Sequence, residues 1–365
     1  MQLSFQKSFY ALAFVFLLLF AMVTAKSVLI SLCFALLLSF ILHPLHNFLM
    51  RKGVPLILAA FLVLITFFLI IIGVFTFFSA EIISLSDELS NFRDKLMTLF
   101  TDSIVYLNEN VSFLGNLEKE KILSDAKSWA KSGATDLIGT TFNSTTSFFT
   151  GLFTTIIYCF LFLIYKDGLV NAFTRFAPDD KESEYLHMLK KIQLVGQKYL
   201  SGMLTLILIL GFANSIGLWI IGLDNPFLFG FLAASLSIIP YVGTTLGASI
   251  PVLYAFMSKD ELWVPLAVGL MFWLIQVIES NFLSPKVVGN SVNINALAAI
   301  LSLIVGASVW GVAGMILFLP FAAMLKVVCD HYEPLKPFGM LLGDDQFNEN
   351  EKNSNSWFKK VKEMF

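Results

Sequence analysis

The sequence predicts an all-α, polytopic membrane protein of about eight membrane segments, two of them interrupted. Three observations carry this. Hydrophobic residues make up 57% of the 365-residue chain and charged residues only 14%, with a mean hydropathy of +0.79, far beyond what a soluble domain can hide. Apolar runs recur at the ~20-residue length of a bilayer-spanning helix. None of them alternates between lipid-facing and lumen-facing positions as a barrel strand must.

The elements follow in order. Runs at 8–25 and 27–42 pair as a hairpin. Lys7 ahead of the first run and Val23-Thr24-Ala25 after it resemble a secretory leader, but a second apolar run starting just past Lys26 and Ser27 suits a tight hairpin better. A third run, 55–80, completes an N-terminal membrane region, residues 1–80. Between them the loop "HPLHNFLMRKGVP" carries Arg51 and Lys52 and no acid, which places it, and with it the N- and C-termini, on the cytoplasmic side. Residues 81–146, with ten acids and six bases, form an extracytoplasmic helical insert that reads first as a solvated spacer. Residues 147–165 make a span, and 166–200 a cytoplasmic linker ending in an amphipathic helix. The C-terminal transport core, 201–330, contains ordinary spans at 201–221 and 262–281. The cytoplasmic tail, 331–365, is first Asn-rich and then basic around Trp357, either frayed or suited to an anionic leaflet. Cys33, Cys159 and Cys329 lie in or beside apolar runs and read as small buried hydrophobes.

Two apolar segments, 227–257 and 294–328, are too long for one span. The first would make a helix of about 46 Å against a hydrocarbon core of about 30 Å. It contains "LSIIPYVGTTLGASIPVLYAF", with Pro240, Pro251, Gly243 and Gly247. Proline removes a backbone donor and clashes with the preceding turn, and broken backbone at membrane depth survives only when buried or lining a wet cavity. The second segment repeats the pattern with "GASVWGVAG" and Pro320. Two interrupted segments flanking one ordinary span match the way transporters build a site from half-helix ends. Gly243 and Gly247 also form a G-x-x-x-G packing pair, so re-entrant hairpins and kinked spans both remain open.

Polar groups at membrane depth mark the candidate site. Gln276 and Glu279 stand three apart and share a helical face, followed by Asn281. An intramembrane carboxylate is by default a candidate for contact with an ion, proton or substrate; the structural alternative is an interfacial Glu279 paired with Lys286. Asn214, in "LGFANSIGLW", is a ligand or interhelical glue. Backbone groups freed around Pro240, Gly243, Gly247 and Gly311 complete the candidate set.

Several classes fall away. The chain has no G-x-x-x-x-G-K-[ST] phosphate loop. Its four histidines, His43, His46, His187 and His331, fall outside the predicted spans, so the intramembrane serines lack a base. The His43/His46 pair, interrupted by Pro44 and without a nearby acid, makes no convincing metal site. Neither an enzyme, a cofactor nor a nucleic-acid partner is expected; a non-transporting scaffold acting through residues 81–146 is the remaining alternative to a transporter.

"IIPYVGTTLGASIP", "QVIESNFLSPKVVGNS" and "GASVWGVAGMILFLPFAAMLKVV" together resemble the AI-2E family of bacterial membrane transporters. Pro240, Tyr241, Gly243, Gly247 and Pro251 fit its first block. Gln276, Glu279, Asn281, Leu283, Pro285 and Gly289 fit its second, and Gly306, Gly311, Gly314 and Pro320 its third. Where members often carry His-Pro after the second block, this chain has Asn295-Ala296, so no histidine role transfers there. The resemblance implies a homo-oligomeric secondary transporter of the bacterial inner membrane. Its implied cargo is a small polar solute such as the quorum signal autoinducer-2, exported by alternating access, or sodium or lithium in an antiporter exchanging them for protons.

Overall fold

The computed structural model describes residues 5–74, 76–79, 149–178, 181–239, 242–259, 261–289 and 294–343. The insert at 81–146 and the tail beyond Gly343 lie outside them. Among the described residues there is no strand. Six helices are long and apolar enough to cross a membrane: α2 (Lys26–Arg51), α3 (Leu56–Ser79), α4 (Phe149–Thr174), α5 (Glu182–Ile221), α8 with its continuation (Trp263–Val287) and α10 (Val312–His331). Shorter members are α6 (Pro226–Leu236), α7 (Val242–Ser258), α9 (Ala296–Trp310) and α11 (Lys336–Leu342), preceded at the N-terminus by α1 (Phe5–Thr24). The predicted polytopic helical membrane fold is what the chain adopts.

Two expected turns are helical instead. α2 runs through Pro44 to Arg51, so His43 and His46 lie inside a long helix and not in a loop. His46 is buried, and its Nε2 lies 3.4 Å from the Leu56 carbonyl. A proline inside such a helix is tolerated when neighbouring elements take over its freed backbone groups. α4 likewise continues past Lys166 to Thr174. α5 runs unbroken across residue 200 for 40 residues, about 60 Å at 1.5 Å per residue, so it joins the predicted amphipathic helix to the span that follows. It closes on Gly222 at φ 84°, a left-handed cap that glycine adopts without strain.

Both overlong segments are helical hairpins. α6 and α7 fold back on each other so that a Cβ on Gly247 would lie 3.0 Å from the Cα of Ala233. At the hairpin's open end, Asp224 and Lys259 form an ion pair at 3.0 Å, so the chain enters and leaves on the same side. At 11 residues α6 is about 17 Å long, roughly half the hydrocarbon thickness. α9 and α10 reverse at Gly311 (φ 61°), and a Cβ on Gly314 would lie 1.9 Å from the Gly306 carbonyl oxygen. The kinked-span alternative therefore falls away for both.

The long α5 orients the two hairpins. α6 packs antiparallel to it, with Phe231 against Gly211 and Gly230 against Ser215. α10 is antiparallel to it as well, with Met324 against Gly196 and the His331 ring 5.7 Å from that of Tyr185. The hairpins thus enter from opposite ends of α5, and their tips point toward one another. Phe229, Tyr254, Val268 and Leu218 bury the first hairpin against α5 and α8.

Candidate functional site

A polar cavity of about 30 Å³ lies where α5, α6, α7 and α8 meet, lined among others by Asn214, Ser237, Thr244, Gly247 and Gln276. Each wall has a local cause. Asn214 is carried inward on α5, buried at 4% exposure, and its Oδ1 has no hydrogen-bond partner among the described residues. A buried acceptor left unpaired costs about 1–3 kcal/mol, so it favours any donor or cation that enters. Gly247 and Gly243 let α7 approach α6. A Cβ on Gly243 would lie 1.6 Å from the Leu236 carbonyl oxygen, so no side chain fits there. The volume is about that of one water or a bare ion.

Gln276 connects this cavity to Glu279. Its Nε2 donates to Glu279 Oε2, and Ser284 donates its hydroxyl to Glu279 Oε1 at 2.7 Å. That second contact depends on a change of helix type. α8 ends at Ile278 and the chain continues as π-helical turns, Glu279–Leu283 and Pro285–Gly289. In π geometry residues five apart align, which sets Ser284 over Glu279, and the Ser284 backbone N–H bonds the Glu279 carbonyl. The sequence explains the switch. Pro285 cannot donate an α-helical bond, while Ser280 and Asn281 side chains both donate to the Val277 carbonyl, at 3.3 and 2.8 Å, competing with the backbone.

The predicted site residues therefore divide. Asn214, Gly247 and Gln276 share the cavity, Glu279 is one hydrogen bond behind it, and Gly243 shapes the hairpin that walls it. Asn281 is exposed and bonded within its own helix. Gly311 belongs to the other hairpin. Pro240 lies outside the described residues. Among the described residues Glu279 and Lys286 form no ion pair; the carboxylate is held by Gln276 and Ser284 instead. Ser237, Thr244 and Ser284 are additional polar residues; Ser237 and Thr244 flank the Pro240–Gly243 block closely enough in sequence to have been suspected. Asn295 has a structural role: its Oδ1 caps α9 by accepting from Ala298 N at 2.8 Å, and its Nδ2 donates to the Leu341 and Gly343 carbonyls.

Amides, hydroxyls and one carboxylate around a small cavity can desolvate and coordinate a polar solute or a cation.

Residues 11–334 match the model of the AI-2E family transporter. The Bacillus subtilis proteins YrrI and YueF are 36% and 34% identical over 134 and 168 residues, and those alignments span 37% and 45% of their lengths. A transport-named protein of Borreliella burgdorferi is 22% identical over 358 residues, 97% of this chain and 95% of that one. The AI-2 transport protein TqsA of Escherichia coli is 23% identical over 320 residues, 88% of this chain and 90% of TqsA.

Proposed function

We propose, for a chain that belongs to the AI-2E transporter family, secondary transport of a small polar solute across the bacterial inner membrane by alternating access. The observation that carries this reading is the buried, unpaired Asn214 Oδ1 facing a polar cavity walled by a re-entrant hairpin. Asn214 and Gln276 are the first contacts, Glu279 holds Gln276 in place and supplies charge, and the α6–α7 hairpin with α8 moves against the remaining helices. Autoinducer-2, moved outward, is the leading identity for the cargo, because TqsA, aligned over 90% of its length, is named an AI-2 transport protein. Arg51 and Lys52 support cytoplasmic termini, and the 38 phenylalanines support a homo-oligomer in which some apolar faces meet.

A second reading, sodium or lithium exchange for protons, is favoured by one specific feature. A cavity of about 30 Å³ suits an ion better than an organic solute unless the hairpin opens. Proteoliposome flux separates the two. Organic flux independent of sodium supports the exporter, and sodium-driven proton movement without organic flux supports the antiporter. Absence of both under every gradient returns the scaffold reading.

A further inference from the structure

A second polar cluster lies far from the cavity, at the Arg51 end of α2. The Lys166 ammonium on α4 lies against both ring nitrogens of His43, 3.4 Å from Nδ1 and closer to Nε2, and the Asn47 amide lies 2.9 Å from Nε2. A neutral imidazole has one acceptor nitrogen, while the Lys166 ammonium has three N–H donors, so His43 takes up only one of them. Lys190 on α5 lies within electrostatic reach of Lys166, and Arg51 and Lys52 are exposed on the same end of α2. Asp167, exposed beside Lys166, offsets one of these charges. The named cluster carries more positive charge than Asp167 offsets.

The same helix also lines an apolar slot between α2, α3, α4 and α5. It has a volume of about 460 Å³ and is lined by Phe34, Leu38, Ile41, Phe67, Leu152 and Leu204 among others. Ile41, at one end of it, is two residues from His43, about 3 Å along the helix. Gly151 faces the slot, where a Cβ would meet only Ser31 Oγ at 4.0 Å. A basic cluster near one end of an apolar slot in a membrane protein has the chemistry of a phospholipid site.

We propose that this place binds one anionic phospholipid, its phosphate at Lys166, Lys190 and Asn47 and one acyl chain in the slot between α2 and α4. Native mass spectrometry of the full chain, extracted from equal phosphatidylglycerol and phosphatidylcholine with matched acyl chains, tests it. The wild type retains phosphatidylglycerol in preference. K166Q/K190Q loses that preference, about five-fold for each lysine removed, while K166R/K190R keeps it. Gly151→Leu, which fills the slot, lowers retention of both lipids, and inorganic phosphate at the same concentration does not displace the lipid. Equal retention of the two lipids by the wild type, or an unchanged preference in K166Q/K190Q, overturns the proposal. Displacement by phosphate together with normal retention in Gly151→Leu also overturns it, assigning the cluster to free anions. If the double variant fails to fold by thermal unfolding, the single variants K166Q and K190Q carry the same test.

Discussion

Asp224 and Lys259 form an ion pair at 3.0 Å across the open end of the α6–α7 hairpin, tying together two points 35 positions apart that one straight helix would hold on opposite faces of the bilayer. Both side chains are partly exposed, so the pair itself contributes little stability, about 0–1 kcal/mol. Its value is topological. Single cysteines at 224 and 259 should both react with a membrane-impermeant thiol reagent added from one side, and neither from the other. Labelling from opposite sides would remove the hairpin.

Asn214→Leu separates function from stability. Replacing a buried polar group that lacks a partner by an apolar side chain of similar size is neutral or stabilising. The variant should unfold at or above the wild-type temperature in detergent yet lose flux in proteoliposomes. Retained flux would take Asn214 out of the site.

Glu279→Gln keeps an oxygen to accept from Gln276 or Ser284 and removes the charge. Gradient-driven transport should be abolished with thermal stability near wild type. Because Glu279 is held by neutral donors and not by Lys286, Lys286→Met should leave stability unchanged. A Glu279→Gln protein that is destabilised and rescued by Lys286→Met would restore the structural ion-pair reading.

Gly306→Ala and Gly314→Ala test the second hairpin. The new Cβ would meet the facing carbonyl oxygen at 2.4 and 1.9 Å respectively, and backbone cannot yield as a side-chain tip can. Each should cost about 1–3 kcal/mol or more, seen as a lowered unfolding temperature. Gly311→Ala meets no neighbour within 4 Å but must hold φ near 61°, a strain of about 1–3 kcal/mol. Wild-type stability in all three would mean that the helices are not packed through these glycines.

Asn295→Ala removes the cap of α9 and its clasp on the end of α11 together. Loss of the cap alone is worth about 0.5–2 kcal/mol. Asn295→Asp keeps the capping oxygen and loses the donors to Leu341 and Gly343, so it should fall between Ala and wild type in thermal unfolding.

Much of the fold was legible because lipid imposes a simple rule. A helix must be apolar for about 20 residues to cross, and the runs at 27–42, 55–80, 147–165 and 201–221 announce themselves by length alone. Helix ends were harder to read. Pro44 looks like a breaker, yet α2 runs through it to Arg51. Gln276 and Glu279 could be paired from their spacing, since three positions along one helix fix a shared face. Ser284 could not, because its approach to Glu279 depends on π turns that follow from competition for the Val277 carbonyl.

The sequence by itself determined that this chain lives in a membrane, that it is helical, that 227–257 and 294–328 are too long for one straight span, and that Asn214, Gln276 and Glu279 are its costly polar groups. Those conclusions rest on composition and length, which are properties of the chain alone. Only the tertiary structure decided that both long segments reverse as hairpins entering from opposite ends of α5, and that Asn214, Gly247 and Gln276 share a cavity while Gly311 and Asn281 do not. The reason is physical. A buried amide's partners, and the space left between helices, are set by side chains far apart in sequence, such as Gly211 under Phe231 and Gly196 under Met324, whose fit no local pattern encodes.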